Sequence, residues 1–146
     1  TVTIELGEHP EDAAAAFLGI TMTSNSADGV EVTYNLEDIG GPSAGMMFSL
    51  AVVDKLSSGE LNGGNFVAGT GTIAEDGAVG PIGGIVHKVD AAEELGAEVF
   101  LAPTANCEAA TSREHGDMTV LAVDSLNHAI EQLAAYDAGG DYQTCS

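Results

Sequence analysis

A serine framed by small residues stands in Gly40-Gly41-Pro42-Ser43-Ala44-Gly45, and an apolar run follows at once. Gly41 to Gly45 fits G-x-S-x-G, the pattern of a nucleophile on a sharp turn into a helix. A serine at a helix N-terminus has unpaired backbone N–H groups beside it and the positive end of the helix dipole beneath it. Backbone around Gly41, Ser43 and Ala44 can therefore hold the oxyanion of a tetrahedral intermediate. Small neighbours let a substrate backbone come close. A serine that only caps a helix gives the same pattern, so the chemistry turns on a base for the hydroxyl proton.

Two kinds of base are on offer. The order Ser, Asp/Glu, His of an α/β-hydrolase would use His115 or His128. The chain is short for that fold, neither histidine lies in a Gly-rich loop after a strand, and His128 falls in an Ala/Leu-rich helix. The other base is lysine. Residues 69–92, GTGTIAEDGAVGPIGGIVHKVDAA, bring a Gly-rich hairpin into a helix that carries Lys88. Ile85, Val89 and Ala92 form an apolar stripe at i, i+4, i+7. Lys88, at i+3 from Ile85, borders that stripe, while His87 and Asp90 point elsewhere. Burial disfavours the charged form of an amine, and a neutral amine can accept the serine proton. A lysine that lays its stem on the apolar face and its head in water has the same spacing and no chemistry.

These groups need elements to hold them. TVTIEL (1–6) and VEVTYNL (30–36) alternate as half-buried strands do, and EDAAAAFLG (11–19) reads as a short helix ended by Gly19. Pro42 suits the first turn of a helix running from Ser43 to Leu56. Residues 57–65 are a loop. FVAGTGTIA (66–74) and AVGPIG (78–83) read as strands joined by the turn Glu75-Asp76-Gly77. A helix is expected from Ile85 to Leu95 and a buried strand at 98–102 closed by Pro103. A helix at 105–114, a strand at 118–123 and a helix at 125–136 capped by Asp124 complete the series. The tail from Asp137 looks loose unless Cys145 is tied down. Helices alternating with short strands, one hairpin among them, make the class α/β or α+β.

The chain has 146 residues, enough for one domain with a sizeable core. It is 45% hydrophobic, too apolar for a disordered chain. No apolar stretch reaches the roughly 18 residues of a membrane span and no signal-peptide pattern opens the sequence, so a soluble globular piece is expected. Against 23 acidic residues stand three basic ones, Lys55, Lys88 and Arg113, for a net charge of -20. Such a balance argues against nucleic acid and anionic membranes as partners. It reads most simply as a solvated acidic surface. Cys107 and Cys145 lack metal-ligand spacing, and no metal or cofactor is expected. In a cytosolic protein they would be plain thiols; in an exported one they could pair.

Taken in order, GGPSAG, GTGTI, VGPIGGIVHKVDAA and FLAP resemble the proteolytic domain of Lon proteases, a Ser-Lys dyad family. The likeness spans roughly residues 17–135 and is nearest to ATP-independent, cell-surface Lon-like proteins of Gram-positive bacteria, in which a PDZ domain precedes the protease domain. It implies a compact fold of short mixed sheets and packed helices, with Ser43 as nucleophile, Lys88 as general base and Thr70 in contact with the lysine. The chain has Gly40 where many Lon proteases carry a charged residue, and it has no Walker A motif. The resemblance further implies protein or peptide substrates, homo-oligomeric rings and an extracellular or cell-surface location with Cys107 and Cys145 joined in a disulfide. On that reading residues 1–10 are the edge of a preceding PDZ-like domain and 11–146 the protease domain. Two other readings stand beside it: a Lon-fold binding or scaffolding domain with little turnover, and a small-ester hydrolase using a Ser-His pair.

Overall fold

The computed structural model describes residues 7–9, 12–17, 42–57 and 59–146, the first two segments as backbone only. The expected strands at 1–6 and 30–36, and Gly40 and Gly41, lie outside these residues. The chain divides into two compact units, Thr1–Asn35 and Leu36–Ser146.

In the first unit β1 (Gly7–His9) pairs antiparallel with β2 (Asp12–Phe17), Gly7 facing Phe17 and Glu8 facing Ala16. The expected helix at 11–19 is thus a strand over Asp12–Phe17. Its alanines favour a helix, but so short a segment gains little after the costly first turn. Pairing with Gly7–His9 satisfies its backbone instead.

The second unit is built on a three-stranded parallel sheet in the order β3-β6-β7. Its strands are β3 (Val67–Gly69), β6 (Val99–Pro103) and β7 (Thr119–Val123). A separate antiparallel pair, β4 (Thr72–Ile73) with β5 (Val79–Gly80), flanks the tight turn at Gly77. Four helices complete it: α1 (Gly45–Leu56), α2 (Ile85–Glu94), α3 (Cys107–Ala110) and α4 (Leu126–Asp137). The mixed α/β class is therefore observed.

β6 is apolar throughout, and β7 is apolar after Thr119, because the sheet is covered on both faces. Val99, Leu101, Leu121 and Val123 pack with Met46 and Leu50 of α1 and Ala129 and Leu133 of α4. Phe100, Ala102, Val120 and Ala122 face the other way, onto Ile85, Val89 and Ala92 of α2. The α2 stripe expected from spacing is this contact. Ile85 and Val89 are buried, and each contributes about 1.5–3 kcal/mol by leaving water.

Three local readings are corrected. The expected strand 66–74 is broken at Thr70-Gly71 into β3 and β4, which belong to different sheets. The expected helix at 105–114 is a 3-10 turn over Thr104–Asn106 followed by only one turn of α-helix. Thr111 and Ser112 end it, their hydroxyls donating back to the carbonyls of Cys107 and Ala109. The cap of α4 is Ser125, whose Oγ accepts from the His128 N–H, and not Asp124. Asp124 accepts from the His128 ring instead, Nδ1 to Oδ1 at 3.0 Å.

The tail is tied down. Ala122 N–H donates to the Gln143 carbonyl and Cys145 N–H to the Val120 carbonyl. Cys145 is bonded to Cys107.

Candidate active site

Ser43 lies in the 3-10 turn Pro42–Ala44 that leads into α1. Its position is set by the strand break. Gly71 N–H and the Thr70 hydroxyl both donate to the Ser43 carbonyl, at 2.8 and 2.9 Å, and Met46 N–H donates to the Gly71 carbonyl at 3.1 Å. Thr70 N–H remains bonded to Leu101 O, so the segment leaves the sheet only after one last rung. Residues 70–71 thus spend their hydrogen bonds on the start of α1. That is why the expected strand cannot run through.

Close approach also explains Gly45. A Cβ there would come 2.8 Å from Ile73 Cγ2 and 3.3 Å from Ile73 N. Gly45→Ala is expected to cost about 1–3 kcal/mol, as overpacking does, because a strand residue and not a flexible side-chain tip stands in the way. A thermal melt checks this; an unchanged midpoint would show that α1 can move aside freely.

Lys88 reaches the same point from α2. Its Nζ donates to Ser43 Oγ at 3.1 Å and to Thr70 Oγ1 at 3.0 Å. Ser43 and Lys88 are half-buried, and Thr70 is only 1% exposed. Directions follow from the inventory of donors. The single Thr70 hydroxyl proton goes to the Ser43 carbonyl, so Thr70 Oγ1 acts toward the lysine as an acceptor. One amine hydrogen is spent there. In a neutral amine the lone pair is then free to turn to Ser43 Oγ.

The other basic residues lie elsewhere. Lys55 lies in the last turn of α1, where its charge complements the helix dipole. Arg113 pairs with Asp90 at 2.7 Å on the surface. Of the histidines weighed as bases, His115 Nδ1 bonds the Met118 carbonyl at 2.8 Å and His128 Nδ1 bonds Asp124. Neither of these bonds reaches Ser43.

Sequence reasoning missed Gly71, whose N–H and carbonyl both hold the serine turn. The signal was there: a glycine in the middle of a strand often marks a close approach of another backbone.

A family model of the Lon protease (S16) C-terminal proteolytic domain matches residues 37–135, more than half of the chain. The chain belongs to this family. The match contains Ser43, Thr70 and Lys88. This Lon proteolytic domain is also 30% identical over 95 residues to Lon protease 2 of Bacillus subtilis (strain 168). That alignment covers 65% of the chain and 17% of the relative, so the chain spans about a sixth of that protein's length.

Proposed function

We propose that this Lon domain is an endopeptidase that uses Ser43 as nucleophile and Lys88 as general base. The observation that carries the reading is the 3.1 Å contact between Lys88 Nζ and Ser43 Oγ. A base must lie within hydrogen-bond reach of the proton it takes, about 2.6–3.2 Å. Lys88 Nζ takes the proton as Oγ attacks the scissile carbonyl. The C–N bond then breaks as the protonated amine returns that proton to the leaving nitrogen. Water repeats the cycle on the acyl-serine.

Met46 N–H is held by Gly71. The oxyanion is therefore assigned to the earlier N–H groups at Ser43 and Ala44, while Gly41, the other candidate from the sequence, lies outside the described residues. Thr70 orients the amine. Thr70→Val keeps the shape and removes the acceptor, so kcat is expected to fall on the order of tenfold, with about 1–2 kcal/mol of stability lost. Unchanged turnover would make Thr70 an ordinary buried strand residue.

The reading extends to the whole protein: an ATP-independent, cell-surface peptidase, assembling as a ring, with a PDZ-like domain before the protease domain. The likeness of GGPSAG, GTGTI and VGPIGGIVHKVDAA to cell-surface members supports that extension. A serine-directed electrophile, such as a fluorophosphonate, tests the core of the proposal. Labelling should appear on Ser43 and vanish in Ser43→Ala. Equal labelling of both proteins would overturn it.

A further inference from the structure

We propose that Asn106 is a positioning residue for the Lys88 amine; this rests on the Ser-Lys reading of the site. The helix that carries Lys88 starts from a soft joint. Gly84 is its N-cap, with a left-handed φ of 69° and no side-chain cap bond, and Gly83 precedes it. A Cβ added at either glycine would meet nothing within 4 Å, so packing does not stiffen the joint. Glycine is the residue that leaves φ and ψ freest. The stripe of Ile85, Val89 and Ala92 keeps α2 on the sheet and Asp90 adds one surface pair with Arg113, but apolar packing and an exposed ion pair are poor at fixing a slide along the helix axis.

Asn106 holds the joint from the other side. Its Oδ1 accepts the Ile82 N–H at 2.9 Å, and its Nδ2 donates to the Ile82 carbonyl at 3.0 Å. Two bonds to one residue fix the place and the tilt of that residue, as a strand pair does. Asn106 is itself anchored on both sides. Pro103, buried, ends β6 just before its turn, and Cys107, next in the chain, is bonded to Cys145. The clasp therefore runs from the central sheet to the residue that launches α2, six positions before Lys88. Lys88 must meet two oxygens at 3.0 and 3.1 Å, and a shift of about 1 Å in a reacting group can cost on the order of 10²-fold in rate.

The test uses the full chain with Asn106→Ala and Asn106→Asp. The aspartate has the same shape and keeps the acceptor for Ile82 N–H, but at neutral pH it has no donor for the Ile82 carbonyl. It carries the test if the alanine variant does not fold. Two readouts are taken: kcat and KM on a peptide, and trace acylation with acetic anhydride, mapped as the ratio of Lys88 to Lys55. For Asn106→Ala, kcat is expected to fall about tenfold or more with KM within about twofold. The labelling ratio should change at least about threefold. Asn106→Asp should fall between wild type and alanine. An unchanged labelling ratio in the folded variants overturns the proposal, as does a raised KM with kcat intact. Should Lys88→Met cleave at the wild-type rate, the Ser-Lys reading fails, and the labelling ratio alone still decides whether Asn106 places the amine.

Discussion

Lys88→Met abolishes peptide cleavage and leaves the protein as stable as before, or more so. Methionine keeps the length and apolar stem of the side chain and removes the amine. Ser43 Oγ then has no proton acceptor at 3.1 Å. Loss of a positioned general base costs roughly 10²–10⁴-fold, and groups that act as one unit with a nucleophile can cost more. A drop of at least about 10³-fold in kcat is the expected size. Stability should move the other way, because a half-buried amine has to shed water when the protein folds and a thioether does not. Thr70 keeps its bond to the Ser43 carbonyl, and that carbonyl keeps Gly71 N–H, so no buried donor is orphaned. A peptidase assay beside a thermal melt makes the check. A variant that cleaves at the wild-type rate would end the Ser-Lys mechanism. One that loses activity together with its cooperative melt would show that Lys88 is structural.

Breaking the Cys107–Cys145 bond lowers the stability of the second unit by about 3–4 kcal/mol. The two residues are 38 apart in sequence, and closing a loop of that length removes this much chain entropy from the unfolded state. For a unit of this size the melting midpoint should fall by more than about 10 °C. The loss has a definite place. Cys145 hangs the tail on β7 through its N–H bond to Val120, and it packs in the core beside Phe100 and Val120. Melts of the oxidised protein, the reduced protein and Cys107→Ser with Cys145→Ser make the comparison. Thiol titration of the unfolded, unreduced protein should find no free cysteine. Two free thiols, or a shift under about 2 °C, would show that the bond contributes little.

The chain's local patterns reached some features and not others. Pro42 and the apolar run after it announced α1, and the i, i+4, i+7 stripe announced α2 and the face it buries. The apolar runs announced β6 and β7. These are periodic signals, and each is complete within about a dozen residues. Residue types and the family likeness also put Ser43, Thr70 and Lys88 into one reading, although a surface lysine has the same spacing. The distances between them lay beyond local pattern. The contact of Ser43 with Lys88 joins residues 45 apart, and that of Thr70 with Ser43 residues 27 apart.

Tertiary structure alone broke the expected strand at Thr70-Gly71, because its hydrogen bonds were claimed by the serine turn. It turned the alanine run at Asp12–Phe17 into a strand paired with Gly7–His9. It chose Ser125 over Asp124 as a cap and left Asp124 to the His128 ring. It also clasped Ile82 with Asn106, 24 residues away. At Thr70-Gly71 and at Ile82 a partner distant in sequence decided how the groups bond, whereas at Asp12–Phe17 and Ser125 the deciding partner lay within ten residues.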